Sequence, residues 1–148
     1  MSNTHTPTIF GCVEHVSLPQ YGIIDCVAKI DTGAYSGAMH CSYVKEHKRE
    51  SDGRRVLRFI PSENESFTQE TEDYEVTQVR SSTGHLVRRY IITTEITIQG
   101  KAYPITIGLS NRSKMQREIL IGRRFLREQG ILVDVQINQE YDTDGGEN

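Results

Sequence analysis

From Glu75 to Leu109 the chain alternates apolar and polar residues with a period of two, and that pattern limits what it can become. In "EVTQVRSSTGHLVRRYIITTEITIQGKAYPITIGL", Ile92, Thr94, Ile96 and Ile98 share one side, and Tyr103, Ile105, Ile107 and Leu109 line the way back. Successive side chains of a strand face opposite ways, so this spacing buries one face of a sheet. Ser81-Ser82-Thr83-Gly84-His85 supplies one hairpin tip and Gln99-Gly100-Lys101 the other, both rich in turn formers.

The flanking segments extend the β pattern. Ile9 to Val16 and Ile23 to Ile30 are short β-branched runs separated by "SLPQYG", where Pro19 and Gly22 form a turn. The apolar run Ile119-Leu120-Ile121 closes at Gly122. Arg123 to Gln129 is the one credible helix, with Gly130 as its stop. Ile131, Val133, Val135 and Ile137 alternate in an expected final strand. The fold class that follows is all-β, a closed or sandwiched sheet with one short C-terminal helix. A chain of 148 residues suits one domain, here residues 9–140, with a loose N-terminus (1–8) and a frayed tail (141–148).

Residues 45–77 form a charged insertion. Lys45, Lys48, Arg49, Arg54, Arg55 and Arg58 precede Glu63, Glu65, Glu70, Glu72, Asp73 and Glu75, with "SDG" at Ser51 to Gly53 as a hairpin turn. Two solvated strand faces, or a mobile insertion held by opposite charge, is the plainer reading. A substrate-selecting charge patch is the sharper one.

Composition removes several classes. The net charge of −3 argues against a nucleic-acid surface, and no apolar run approaches the length of a membrane span. The first residues carry no basic stretch followed by an apolar segment, and three cysteines without a CxxC fit reduced thiols, so the expected location is cytoplasmic. There is no GxxxxGK[ST] loop for ATP and no HExxH for zinc. The best zinc set would be His40, Cys41 and His47 with Asp31. Adjacent residues of a strand point to opposite faces, however, and the expected cofactor content is none.

The chemistry-bearing stretch is "KIDTGAYSGAMHC", Lys29 to Cys41. Taken alone, Asp31-Thr32-Gly33 is an Asx-type turn, with the carboxylate bonding an amide two residues on. Its context adds a second reading. Asp31-Thr32-Gly33-Ala34 ends a strand, the hairpin tip and double hairpin follow in order, and "ILIGRRFLREQGILVDV" completes the pattern. Over roughly residues 23–137 this resembles the retropepsin-like aspartic proteases. "SLP", "KIDTGA", "VRSSTG" and "LSNRSKM" are similar to a small bacterial family within that class, whose members are labelled ATP-dependent zinc proteases and occur beside ATP-grasp peptide ligases.

The resemblance implies an acid-protease barrel that is active as a homodimer. Aspartic protease chemistry needs two carboxylates sharing one proton, because like charges ~3 Å apart cannot both ionise. This chain has a single Asp-Thr-Gly, so the second Asp31 would come from another copy across a two-fold axis. Asp31, Thr32 and Gly33 would be the catalytic loop, with Thr32 buried beneath the carboxylates and bonded to the partner loop. Ala34, Tyr35 and Ile121 would line the substrate, and Ser82, Thr83, Gly84 and His85 would form the closing flap (residues 78–90) over an extended peptide. Gly122 and Arg123 would be structural. The retroviral pattern places acids where Tyr35 and Ser36 stand, so Arg123 lacks the acid that pairs with it there. The expected function is peptide-bond hydrolysis by water activated between two Asp31 carboxylates. The alternatives are a non-catalytic dimeric peptide-binding module partnered with an ATP-grasp ligase, and a zinc-dependent protease.

Overall fold

The hairpin signals become a barrel. A computed structural model describes residues 6–142. Its strands are β1 (Ile9–Phe10), β2 (Val13–Leu18), β3 (Ile23–Ile30), β4 (Ala38–Lys48), β5 (Arg55–Pro61), β6 (Gln69–Thr71), β7 (Glu75–Arg80), β8 (Leu86–Ile98), β9 (Lys101–Ser110), β10 (Ile119–Ile121) and β11 (Leu132–Val133), with one helix, α1 (Arg123–Glu128). Six strands run in the order β10-β3-β2-β8-β9-β4, and a second pairing of β10 with β4 closes the ring. The fold is an all-β closed barrel with one short helix.

The turns form where the sequence supplies the conformations. Ile98 pairs with Lys101 across a two-residue loop in which Gln99 and Gly100 both have positive φ, 53° and 75°. Two left-handed central residues match the right-handed twist of the flanking strands. At the other tip, Ser81 N–H donates to His85 O and Gly84 N–H to Ser81 O, with Gly84 at φ 89°.

The core is built from the alternating faces. Val16, Leu18, Ile96, Ile98, Ile105, Ile107, Leu109, Ile119 and Ile121 are buried inside the ring, each contributing about 1.5–3 kcal/mol of apolar transfer. Phe125 of α1 packs edge-on against Tyr103 and is stacked on Phe10, which fastens the helix to the barrel wall.

The charged insertion lies outside the ring as β5 and β6, extending β4. Its two charge runs face each other: Arg49 pairs with Asp52 and Glu72, Arg54 with Glu72, and Arg58 with Glu70. Exposed pairs of this kind contribute about 0.2–1 kcal/mol each.

The expected strand from Ile131 to Ile137 forms only at Leu132–Val133, where β11 pairs in parallel with β1. Asp134 stops it. Its carboxylate accepts the Gln136 N–H at 2.9 Å and its carbonyl accepts the Ile137 N–H at 3.0 Å, so the chain turns and leaves Val135 68% exposed. Of the termini expected to be loose, Thr8 is tied down by the Leu132 N–H, and Gln139–Tyr141 forms a 3-10 turn. Residues 1–5 and 143–148 lie outside the described residues. Among the described residues no helix is long and apolar enough to cross a membrane.

Candidate active site

Asp31 stands at the barrel's seam. β10 runs parallel to β3, with Ile121 opposite Ile30, and Asp31 N–H donates to Ile121 O at 2.8 Å. The residue after the strand is therefore held by the ladder itself. Its carboxylate Oδ1 accepts the Gly33 N–H at 2.9 Å and its carbonyl accepts the Ala34 N–H at 3.2 Å. This is the Asx turn anticipated for the motif, and it sets the carboxylate's orientation.

Two glycines let β10 and α1 clamp the loop. A Cβ on Gly122 would lie 2.4 Å from Tyr35 O and 2.6 Å from Gly37 N, contacts no side chain tolerates. Gly37 has φ 74°, and a Cβ there would sit 2.5 Å from Leu120 O. The close approach brings the loop carbonyls onto the first amides of α1: Arg123 N–H donates to Ala34 O at 2.8 Å and Arg124 N–H to Tyr35 O at 3.0 Å.

Arg123 has partners after all. Its Nη1 donates to Gly33 O at 3.0 Å, and its guanidinium lies 5.5 Å from the centre of the Tyr35 ring. An aromatic face and a carbonyl thus take the place of the acid expected from the retroviral pattern.

Other expected site residues fall differently. Thr32 and Gly33 are exposed, so the burial anticipated for Thr32 is not a property of one copy. Ile121, expected to line the substrate, is fully buried in the core, and its contribution is the backbone carbonyl that holds Asp31. Leu120, one step along the strand, faces the cleft instead. Tyr35 is exposed beside Ala34 on the cleft wall. Ser82, Thr83, Gly84 and His85 form an exposed tip braced by Arg80, whose Nη1 donates to Gly84 O at 2.7 Å.

The zinc candidates are separately engaged. His40 is 1% exposed, and its Nδ1 accepts the Arg112 N–H at 2.8 Å, which leaves Nε2 to donate to Glu63 at 3.2 Å. Burial pushes the Cys41 thiol up to about 12, far from a ready thiolate ligand. His47 pairs with the Tyr43 hydroxyl at 2.6 Å. Among the described residues, no three His, Cys, Asp or Glu side chains are grouped to hold a metal ion.

Two residues escaped the sequence reading. Arg89 of β8 and Arg112, in the loop after β9, line a cavity of about 400 Å³ with Ala34 to Ala38 and Leu120. Arg112 and Leu120 also wall a second hollow with Asp31, Lys29 and Met115. Burial holds the Arg112 guanidinium below its usual range, as does repulsion from Arg89, while Asp31 pulls the other way. Gly108, a gap in the apolar run of β9, was the available signal: a Cβ there would sit 3.2 Å from Arg89 Cδ.

Known proteins resemble this chain in sequence and shape. Over 118 residues it is 27% identical to a protein of Shewanella halifaxensis named "Probable alpha-L-glutamate ligase", covering 78% of this chain and 26% of that protein. A protein of the same name from Desulfotalea psychrophila is 25% identical over 135 residues, or 89% of this chain and 29% of its own length. The chain thus spans roughly a quarter of the length of these curated relatives. A crystal structure of a Legionella pneumophila protein of unknown function superposes with a TM-score of 0.66 at 26% identity, covering 89% of this chain and 96% of the other. Residues 9–141 match the RimB-like family, described as the retropepsin-like aspartic endopeptidase RimB, and the chain belongs to that family.

Proposed function

We propose that the chain is an aspartic endopeptidase, active as a homodimer in which the Asp31 carboxylates of two copies hold one water. The observation that carries this reading is the pose of Asp31. Its Oδ1 is oriented by Gly33 N–H, its backbone is locked to Ile121, and the flanking Thr32 and Gly33 lie open for a second loop to meet. One carboxylate takes a proton from the water as the oxygen attacks the scissile carbonyl. The other, protonated, hydrogen-bonds the carbonyl oxygen. The tetrahedral intermediate collapses with proton transfer to the leaving amine. The flap tip at Ser82 to His85 closes over an extended peptide.

The substrate we favour is a glutamyl peptide. The matched relatives bear the name of an α-L-glutamate ligase, and a peptidase beside such an activity would undo the amide bonds it forms. An ATP-grasp ligase is then the natural partner.

Asp31→Asn tests the reading. The variant should keep its circular dichroism spectrum and its sedimentation behaviour while losing about a thousandfold or more of peptide cleavage. Undiminished cleavage in Asp31→Asn, or a wild-type protein that stays monomeric with peptide bound, overturns it. Loss of wild-type cleavage on adding a chelator would favour a zinc protease. A dimer that binds peptide and never cleaves it is a peptide-holding module.

A further inference from the structure

We propose that Arg89 and Arg112 form a carboxylate-binding pocket beside Asp31, which selects peptides by a free carboxylate on a residue near the scissile bond. The proposal rests on the peptidase reading for its consequence, though not for the pocket itself.

The first observation is charge without partners. The cavity walled by Ala34 to Ala38, Leu120, Arg89 and Arg112 has only the two guanidiniums as charged lining. Arg49, Arg54, Arg58 and Arg88 each have an acid within 4.0 Å, whereas neither Arg89 nor Arg112 has an ion pair among the described residues. Two like charges at a partly buried site disfavour each other unless an anion joins them. Among the described residues the acid that acts on Arg112 is Asp31, and its Oδ1 already accepts the Gly33 N–H.

The second observation is that the pair is held in place. Arg89 lies across Gly108, where any larger residue would displace its stem. The Arg112 backbone is bonded to the buried His40, and its Nε donates to Arg117 O at 3.1 Å. Its terminal nitrogens have no partner among the described residues. Guanidiniums take carboxylates through paired N–H donors, so a pocket with two of them and no acid suits one carboxylate. That group could be the side chain of a glutamate or aspartate, or the α-carboxylate of a chain end.

The test uses the full chain and four peptides: one containing glutamates, its glutamine counterpart, and each with a free or amidated C-terminus. Wild-type kcat/KM should favour the glutamate peptide by about 10- to 100-fold, the range for a charged hydrogen-bonded pair. Arg89→Gln should bring that ratio near one, mainly through KM, and Arg89→Lys should restore part of it. Indifference to amidation assigns the pocket to a side chain, and a loss on amidation assigns it to the α-carboxylate. Fluorescence anisotropy of the same peptides with Asp31→Asn, alone and combined with Arg89→Gln, reads binding without cleavage. If the wild type cleaves nothing, yet Arg89→Gln weakens glutamate-peptide binding by the same factor, the pocket stands and the peptidase reading falls. A wild type with neither a glutamate preference nor a loss on amidation, in cleavage or binding, overturns the pocket, as does a folded Arg89→Gln with its preference intact.

Discussion

Arg123 at the start of α1 reaches back over the Tyr35 ring, 5.5 Å from its centre, and donates to Gly33 O at 3.0 Å. One side chain thereby ties the helix to the Asp31 loop at two points. Replacing Arg123 with alanine should cost about 1–3 kcal/mol in denaturant unfolding, through the lost charged hydrogen bond and the aromatic contact. Cleavage should fall further than stability does. Tyr35→Phe should behave as wild type, because the ring and not the hydroxyl meets the guanidinium, whereas Tyr35→Ala should resemble the arginine variant.

Gly122→Ala should destabilise by about 1–3 kcal/mol or more, since its methyl would be driven into Tyr35 O. Gly84→Ala offers the contrast. At φ 89° with nothing within 4 Å, this hairpin-tip glycine presents backbone strain alone, about 1 kcal/mol. Thermal unfolding of both variants should rank them in that order.

Glu46 predicts a pH dependence. It is 13% exposed and accepts from the Tyr74 hydroxyl at 2.7 Å, Arg88 Nη2 at 2.8 Å and the Tyr90 hydroxyl at 3.3 Å, tying β4 to β8 and to the residue that leads into β7. The Tyr74 hydrogen bond is the main cause holding its carboxyl below the usual range, with Arg88 and Arg55 assisting against burial. A folded-state value below the unfolded one stabilises above the ordinary carboxylate pKa of about 4.3, and that stability is lost as pH falls through the lower value. Glu46→Gln should therefore be less stable than wild type by about 1–3 kcal/mol at pH 7. The gap should close below about pH 4, as read from urea unfolding across that range.

Cys41 should resist alkylation in the folded protein. Its thiol is fully buried and pushed up to about 12, while Cys12 and Cys26 are partly accessible, with smaller upward displacements. Brief iodoacetamide treatment at pH 8 followed by mass spectrometry should label Cys12 and Cys26 before Cys41. Denaturant should equalise the three.

The parts of the fold written in local patterns were readable. The period-two run with Gln99-Gly100 at its turn gave the β8–β9 hairpin, and Gly130 marked the end of α1. The last strand misled because Asp134 makes a turn inside an alternating run. Leu120 takes the cleft-facing place expected for Ile121 for a similar reason. Adjacent strand residues face opposite ways, and which one looks inward depends on a register set by β3 and β4. Arg89 and Arg112 left only the indirect mark of Gly108, because they meet only when Gly108 pairs with Ile91 on one side and Ala38 on the other. The Asp31 turn was visible from its own three letters, but the side chains around it were not.

Strand β10 has only three residues, and they hydrogen-bond to β3 on one flank and β4 on the other. The same short piece of chain shuts the ring and supplies the carbonyl that anchors Asp31. Evolution therefore has little freedom to retune one property at this spot without touching the other. A substitution that loosens Ile119 or Ile121 should register as faster amide exchange at Asp31 and as lost turnover, while most of the β-sheet signal persists.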